Sequence, residues 1–284
     1  MSIDIAIIHP PEYAHARAFD EVVETVQWGL EHLGKTVTRR INQVRADVAT
    51  VLFGANLLNA DQIRSLPDSV IIYNLEQVDP KSPWFNEDRF RALRDRPILW
   101  DYSLRNVEFW KGIGAPRVVH VPIGYAPTLR RLKRQTPDIE VLFYGSLNPR
   151  RQAVLDRLQQ SGVRVRSLFG SYGVERDAMI ARSKVVLNVH YYEWGILEVV
   201  RLSYLLANGI PIVSEQDMYP ESEADLTDAL EYVPYDQIVH ACERLVNSPE
   251  DRERLGKAGM QAIQQRDIVS ILRRALSEGI GMSV

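Results

Sequence analysis

The sequence predicts an α/β chain of two domains, each a parallel sheet with helices on both faces. Three observations predict it. The 284 residues exceed the roughly 100–200 of one ordinary domain. Short apolar runs alternate with stretches of helical periodicity along the chain, which implies parallel pairing through helical crossovers. That rhythm breaks once, over a proline-containing stretch near the middle, and then restarts. With 45% hydrophobic and 25% charged residues, each half can bury a core of its own.

The elements follow in order. Ile3–His9 is a short apolar run ended by Pro10-Pro11, and it reads as a buried strand. Ala14–Leu33 carries Phe19, Val22, Val23, Val26, Leu30 and Leu33 at helical spacing, with Gly34 at the C-cap position. Strands are expected at Val48–Phe53, Val70–Tyr73, Ile98–Trp100 and Val118–Val121, with helices between them at 57–66, 85–95 and 103–112. Residues 123–138, basic and proline-containing without a buried run, read as a linker between a domain at 1–122 and a second at 139–284. In the second half the strands are Val141–Tyr144, Val163–Phe169, Val185–Val189, Ile210–Ser214 and Leu230–Val233. Helices are expected at Gln152–Gln160, Arg176–Arg182 and Leu197–Ala207, then at 236–247, 249–264 and 267–278, the last free to cross back to the first domain.

Composition removes several classes. Lys+Arg of 34 against Asp+Glu of 37 gives a net charge of -3, where a dedicated nucleic-acid binder would carry a basic surplus. Cys242 is the single cysteine, so neither an internal disulfide nor a cysteine-rich metal site can form. No apolar run approaches the roughly 18–20 residues of a membrane span. The N-terminus lacks a signal-type basic and apolar sequence. A cytoplasmic, reduced setting is the expectation.

The most informative segment is Tyr144-Gly145-Ser146-Leu147-Asn148-Pro149-Arg150-Arg151. A strand ends, Gly145 allows a close turn, Asn148 suits the N-cap and Pro149 the first helical position. A helix N-terminus at a strand's carboxyl end binds anions. Arg150 and Arg151 occupy the wrong end of a helix for cations, a cost of about 0.3–1 kcal/mol unless a bound anion reverses it. A pyrophosphate site accounts for them; two solvated arginines are the plainer alternative. Gly170, in Gly170-Ser171-Tyr172-Gly173, follows the next strand and either admits a ligand or serves an ordinary loop. His190-Tyr191-Tyr192-Glu193-Trp194-Gly195 lies at the carboxyl end of the following strand, where open α/β sheets bind ligands. Glu198 and Arg201 share a helix face, so Glu198 serves either a helix-capping pair or a pair of ribose hydroxyls.

These residues resemble a family. Phe143-Tyr144-Gly145-Ser146 with Arg150, then Ala181-Arg182-Ser183-Lys184-Val185-Val186-Leu187-Asn188, then Glu198 and Ala207-Asn208-Gly209-Ile210-Pro211-Ile212-Val213 resemble the donor domain of GT-B glycosyltransferases. The bacterial group-1 type, with its spore-maturation-like set, is the nearest likeness. Tyr73-Asn74-Leu75-Glu76-Gln77 and Trp100-Asp101-Tyr102-Ser103 are weaker matches. The resemblance implies two Rossmann-like domains facing a cleft, in a compact version, with a nucleotide sugar mainly on the C-terminal one. It implies that Gly145, Ser146 and Arg150 hold the diphosphate and Glu198 the ribose. The Glu-x7-Glu pattern of many retaining members is not matched: Arg201 stands eight after Glu193, and Tyr204 takes the place of the second glutamate.

In such an arrangement the strand ends of the first half also carry chemistry. His9, Glu76 and Asp101 each follow a strand and are candidate bases for an acceptor hydroxyl, or ordinary capping residues. His190 joins them as a catalytic candidate. The expected donor set is Gly145, Ser146, Arg150, Arg151, Gly170, Tyr192, Glu193 and Glu198. No Asp-x-Asp pair and no paired histidine spacing occurs, so neither a metal nor another cofactor is expected beyond the nucleoside-diphosphate sugar. No P-loop occurs, and no Gly-x-Gly-x-x-Gly follows the first strand. The expected activity is metal-independent transfer of a sugar to a hydroxyl acceptor: a glycan, a lipid-linked glycan or a small molecule. A nucleotide-sugar epimerase or hydrolase of the same fold, or a non-catalytic binding module, remain the alternatives.

Overall fold

The computed structural model describes residues 2–11, 13–82, 85–193, 195–217 and 223–280. The chain divides into two compact units, Met1–Thr128 with Arg266–Val284, and Leu129–Gln265.

The first unit alternates β1 (Ser2–Ile7), α1 (Asp20–His32), β2 (Thr36–Ile41), β3 (Thr50–Phe53), α2 (Ala60–Arg64), β4 (Val70–Asn74), α3 (Glu87–Arg94), β5 (Leu99–Asp101), α4 (Leu104–Gly112) and β6 (Val118–His120). Its six strands are parallel in the order β2-β1-β3-β4-β5-β6. The apolar runs become β1, β3, β4 and β5, buried on both faces as a helix-covered parallel sheet requires. β2 is an additional edge strand. In its sequence TVTRRI only Val37 and Arg40 are half-buried and the other four positions are exposed, so no apolar run announces it. The helix expected from Ala14 opens instead as a 3-10 helix, Ala14–Phe19. The α-helix starts at Asp20, where Asp20 and Glu21 sit in the first turn and favour the positive end of the dipole.

The second unit runs β7 (Ile139–Tyr144), α5 (Pro149–Gln160), β8 (Val165–Leu168), α6 (Val174–Ala181), β9 (Ser183–Asn188), α7 (Val199–Ala207), β10 (Ile212–Glu215), α8 (Ala224–Thr227), β11 (Glu231–Val233), α9 (Ile238–Asn247) and α10 (Pro249–Gln264). Its five parallel strands are ordered β11-β10-β9-β7-β8. Val141, Phe143, Val185, Leu187 and Val213 pack against Leu155, Leu158, Cys242 and Leu245 in one core.

Residues 123–138 are not free of buried groups. Ile123, Ala126 and Leu129 are each at most 2% exposed. Within the second unit the Asn208 side chain accepts from the backbone N–H groups of Arg131 and Leu132 and donates to the Leu129 carbonyl. The unit division falls at Thr128/Leu129, inside this stretch. The C-terminal helix α11 (Ile268–Ile280) belongs to the first unit. It packs on α1 where Gly29 leaves room: a Cβ there would lie 2.7 Å from Leu272 and 3.0 Å from Ile268. Among the described residues, no helix is long and apolar enough to cross a membrane.

Candidate functional site

In the second unit, neighbouring strands follow from β7 to β8 on one side and from β9 through β10 to β11 on the other. The order reverses between β7 and β9, and open α/β sheets bind ligands beyond the carboxyl ends of the strands at such a reversal. Tyr144, Asn188 and Glu215 end β7, β9 and β10. The charged side chains gather there.

Asn148 caps α5, accepting from the Arg151 N–H at 2.9 Å, and donates to the Tyr191 carbonyl at 2.7 Å. Pro149 stands in the first turn. Gly145 has φ of 134°, which a side chain would strain. A Cβ at Gly145 would lie 3.1 Å from Nη1 of Arg201 and 3.6 Å from Nη1 of Arg151. Two guanidinium groups therefore flank this one turn. Arg151, 5% exposed, donates to the carbonyls of Val189 at 2.9 Å and Ser146 at 2.8 Å. Arg201 donates to the Tyr144 carbonyl at 2.8 Å and to Oδ1 of Asn188.

Glu198 lies between them. Its Oε2 accepts from Asn188 at 2.8 Å and faces His190 Nδ1 at 3.1 Å, while Oε1 is 3.7 Å from Arg151. Burial pushes the Arg151 guanidinium down to about 10, with Arg201 adding to it. Burial alone would raise the Glu198 carboxyl, but His190, Arg201 and Arg151 outweigh it and hold it below the usual carboxylate range. Burial would lower His190, yet Glu198, Glu215 and Asp217 hold it above the ordinary histidine value. The turn thus presents two cations that share one carboxylate, beside a histidine biased toward its charged form.

Arg150, expected on the diphosphate, is engaged with Glu215. It makes a two-pronged pair with Glu215, 2.6 Å at Nη1, and lies 4.1 Å over the Tyr235 ring. Glu215 also accepts from the His190 N–H at 3.0 Å. The pair locks the carboxyl end of β10 to α5, and its charges cancel. Gly170 is exposed, with nothing within 4 Å of where its Cβ would stand. Tyr192 is half-buried and Glu193 exposed; Trp194 lies outside the described residues.

The first unit has the same kind of reversal, between β1 and β3. His9 follows β1, where the Asn42 side chain accepts from its N–H and donates to its carbonyl, both at 2.7 Å. Asn74 stands level with Asp101 across β4 and β5, so the two side chains meet. Asp101, expected among the bases, is fully buried and holds the strand ends together. Its carboxylate accepts from Asn74 at 2.7 Å, Asn106 and Trp110 at 2.9 Å, and the Ser103 N–H at 3.0 Å. Burial pushes it up to about 7 against these four donors. Asn74 and Asn106 each also donate to the Glu76 carbonyl at 2.9 Å. Asp101 therefore grips two amides that grip residue 76. The half-buried Glu76 side chain accepts from Asn56 at 3.3 Å, and burial pushes it up to about 7. Of the two carboxylates, Glu76 is the one with access.

Arg201, Asn188 and Glu215 are site residues that sequence reasoning left out. Arg201 was visible only as a partner for Glu198, and Glu215 sits 65 residues from Arg150. One local signal existed: polar Asn188 and Glu215 stand at the carboxyl ends of β9 and β10. Among the described residues, no group of three or more His, Cys, Asp or Glu side chains is placed to hold a metal ion.

No family model matches the chain. Uncharacterized protein L140 of Acanthamoeba polyphaga mimivirus is 31% identical over 147 residues, 49% of this chain and 47% of that protein. Uncharacterized protein L138 of the same virus is 33% identical over 155 residues, 50% of this chain and 17% of that protein. The chain thus spans less than half the length of either relative. Among solved structures, AviGT4, a glycosyltransferase involved in avilamycin A biosynthesis, superposes with a TM-score of 0.62 at 15% identity, covering 98% of this chain and 96% of that one. Anabaena Alr3699/HepE in complex with UDP and glucose gives 0.63 at 12% identity, with 98% of both chains covered. T4 phage BGT with its UDP-glucose substrate gives 0.58 at 11% identity, covering 99% of this chain and all of that one. Two parallel-sheet units in this order and coverage of that extent show the fold: the chain has the GT-B fold of these enzymes.

Proposed function

We propose that the chain is a glycosyltransferase that takes a sugar from a nucleoside diphosphate and passes it to a hydroxyl acceptor. One observation carries this reading. Arg151 and Arg201 flank Gly145 at the N-terminus of α5 and share a single carboxylate, Glu198. A diphosphate supplies the missing negative charge, and the free N–H groups of the helix start add to its binding.

When the donor bond breaks, negative charge grows on the departing diphosphate. Guanidinium groups fixed in advance stabilise that charge without rearranging, so no metal ion is required. His190, held toward its protonated form by Glu198, adds a third positive group beside the turn. Glu198 keeps Oε1 for a ribose hydroxyl, since Oε2 is occupied by Asn188 and His190. Glu76 accepts the proton of the acceptor hydroxyl. Its affinity for a proton near pH 7 matches what a general base needs. The UDP and UDP-glucose bound to structurally similar enzymes favour a uridine donor.

A thermal-shift panel of UDP, GDP, TDP, CMP and their sugars tests the proposal, run with and without EDTA. One nucleoside diphosphate should raise the melting temperature, its nucleoside should not, and EDTA should leave the shift in place. A panel in which no nucleotide acts would overturn it.

A further inference from the structure

Glu76 is unusual in what surrounds it. Among the described residues its carboxylate makes one side-chain hydrogen bond, to the Asn56 amide, and no ion pair. Burial raises its proton affinity, with no neighbouring cation pulling the other way. The Tyr13 phenol lies close enough to be raised by burial and then by the Glu76 charge. His15 packs edge-on to Tyr13, ring centroids 5.4 Å apart. Carboxylates in such places are normally paired. This one is held by the Asp101, Asn74 and Asn106 bracket behind residue 76, so its position is built and its charge is left unmatched.

We infer that Glu76, Asn56 and Tyr13 form an acceptor subsite for an uncharged polyhydroxylated molecule, a neutral saccharide rather than a phosphorylated, acidic or amino one. The inference rests on the proposed transferase reading. A hydroxyl both donates and accepts, and these three side chains offer both functions: carboxylate oxygens that accept, an amide that does both, and a phenol that does both. A phosphate or sulfate near this carboxylate in its ionised form meets like charge, and among the described residues no cation is paired with it. An ammonium group would satisfy the carboxylate, but it cannot use the amide's donor hydrogens. The two units thereby divide the recognition: arginines for the anionic donor, amides and a carboxylate for a neutral acceptor.

A glycan array probed with the full chain in the presence of UDP tests this, with UDP binding followed by calorimetry on the same preparation. Neutral oligosaccharides should be retained at least about tenfold more strongly than phosphorylated, sulfated, sialylated or free-amine ones, the scale of an unscreened like-charge contact. In Glu76→Gln, which keeps the shape and removes the charge, the acidic glycans should gain relative to the neutral ones. Acidic or amino glycans retained best by the wild type would overturn the inference, as would an unchanged ratio in Glu76→Gln. No glycan retained while UDP binds would also overturn it and leave the donor reading standing. Neutral glycans retained without UDP binding would support the subsite and sink the donor reading instead.

Discussion

Each sheet reverses its strand order once, yet the side chains beyond the carboxyl ends of the strands differ in kind between the two units. Beyond β7, β9 and β10 stand three arginines, a histidine and two glutamates in one charged network. Beyond β4 and β5 stand asparagines, a tryptophan and two carboxylates that burial drives toward neutrality. Topology decides where a ligand can approach; the residue types at those ends decide its charge. The predictions below test that contrast from its largest expected effect downward.

The largest concerns Arg150. Its removal leaves Glu215, 4% exposed, as an uncompensated buried charge, which typically costs about 3–5 kcal/mol. Arg150→Ala should therefore lower the urea midpoint of the second unit sharply. A stable Arg150→Ala protein that has lost only nucleoside-diphosphate binding would put Arg150 on the donor and break the account of the Glu215 pair.

Asp101→Asn comes next. An amide keeps one oxygen and puts an NH2 donor in place of the other, so the two buried donors on that side lose their acceptor, a loss of about 1–3 kcal/mol for each. The effect should appear in the first unit and spare UDP binding. Reduced UDP affinity at unchanged stability would contradict it.

A smaller effect separates the units by pH. Glu76 and Asp101 have folded values raised to about 7, above the unfolded range near 4. The native state therefore binds their protons more tightly, and stability falls as pH rises from about 4 to 7, then levels. Glu198 runs the other way: its folded value is depressed, so its contribution is present above the carboxylate range and is lost only in acid. Hydrogen exchange corrected for intrinsic rate should show β4 and β5 less protected at pH 7.5 than at pH 5.5, and Glu76→Gln should reduce the difference. Equal protection at both pH values would remove the basis for treating these carboxylates as shifted.

Much of the fold was legible because it depends on local pattern. Apolar runs marked the central strands, and Asn148-Pro149 marked the start of α5 to the residue. β2 was not, because an edge strand with Arg39 and Arg40 has no apolar face to announce it. The buried Ile123, Ala126 and Leu129 form no apolar run, because they are spaced among prolines and cations. The site was legible as a place and less so as a set of roles. Gly145 and Arg151 stand on one turn, so local sequence is enough to bring them side by side. That Arg150 pairs with Glu215, or that Asp101 meets Asn74 and Asn106, depends on which strand ends become neighbours, and no local spacing encodes that.

The central claim is that Arg151 and Arg201 hold a diphosphate. Calorimetry of UDP and uridine on wild type and Arg201→Ala tests it most directly, with circular dichroism to verify the fold. Losing a charge-assisted phosphate contact should weaken UDP by about 1.5–3 kcal/mol, roughly ten- to a hundredfold in Kd, and leave uridine nearly unchanged. A folded Arg201→Ala protein that binds UDP as tightly as wild type, or loses uridine and UDP equally, would contradict the claim.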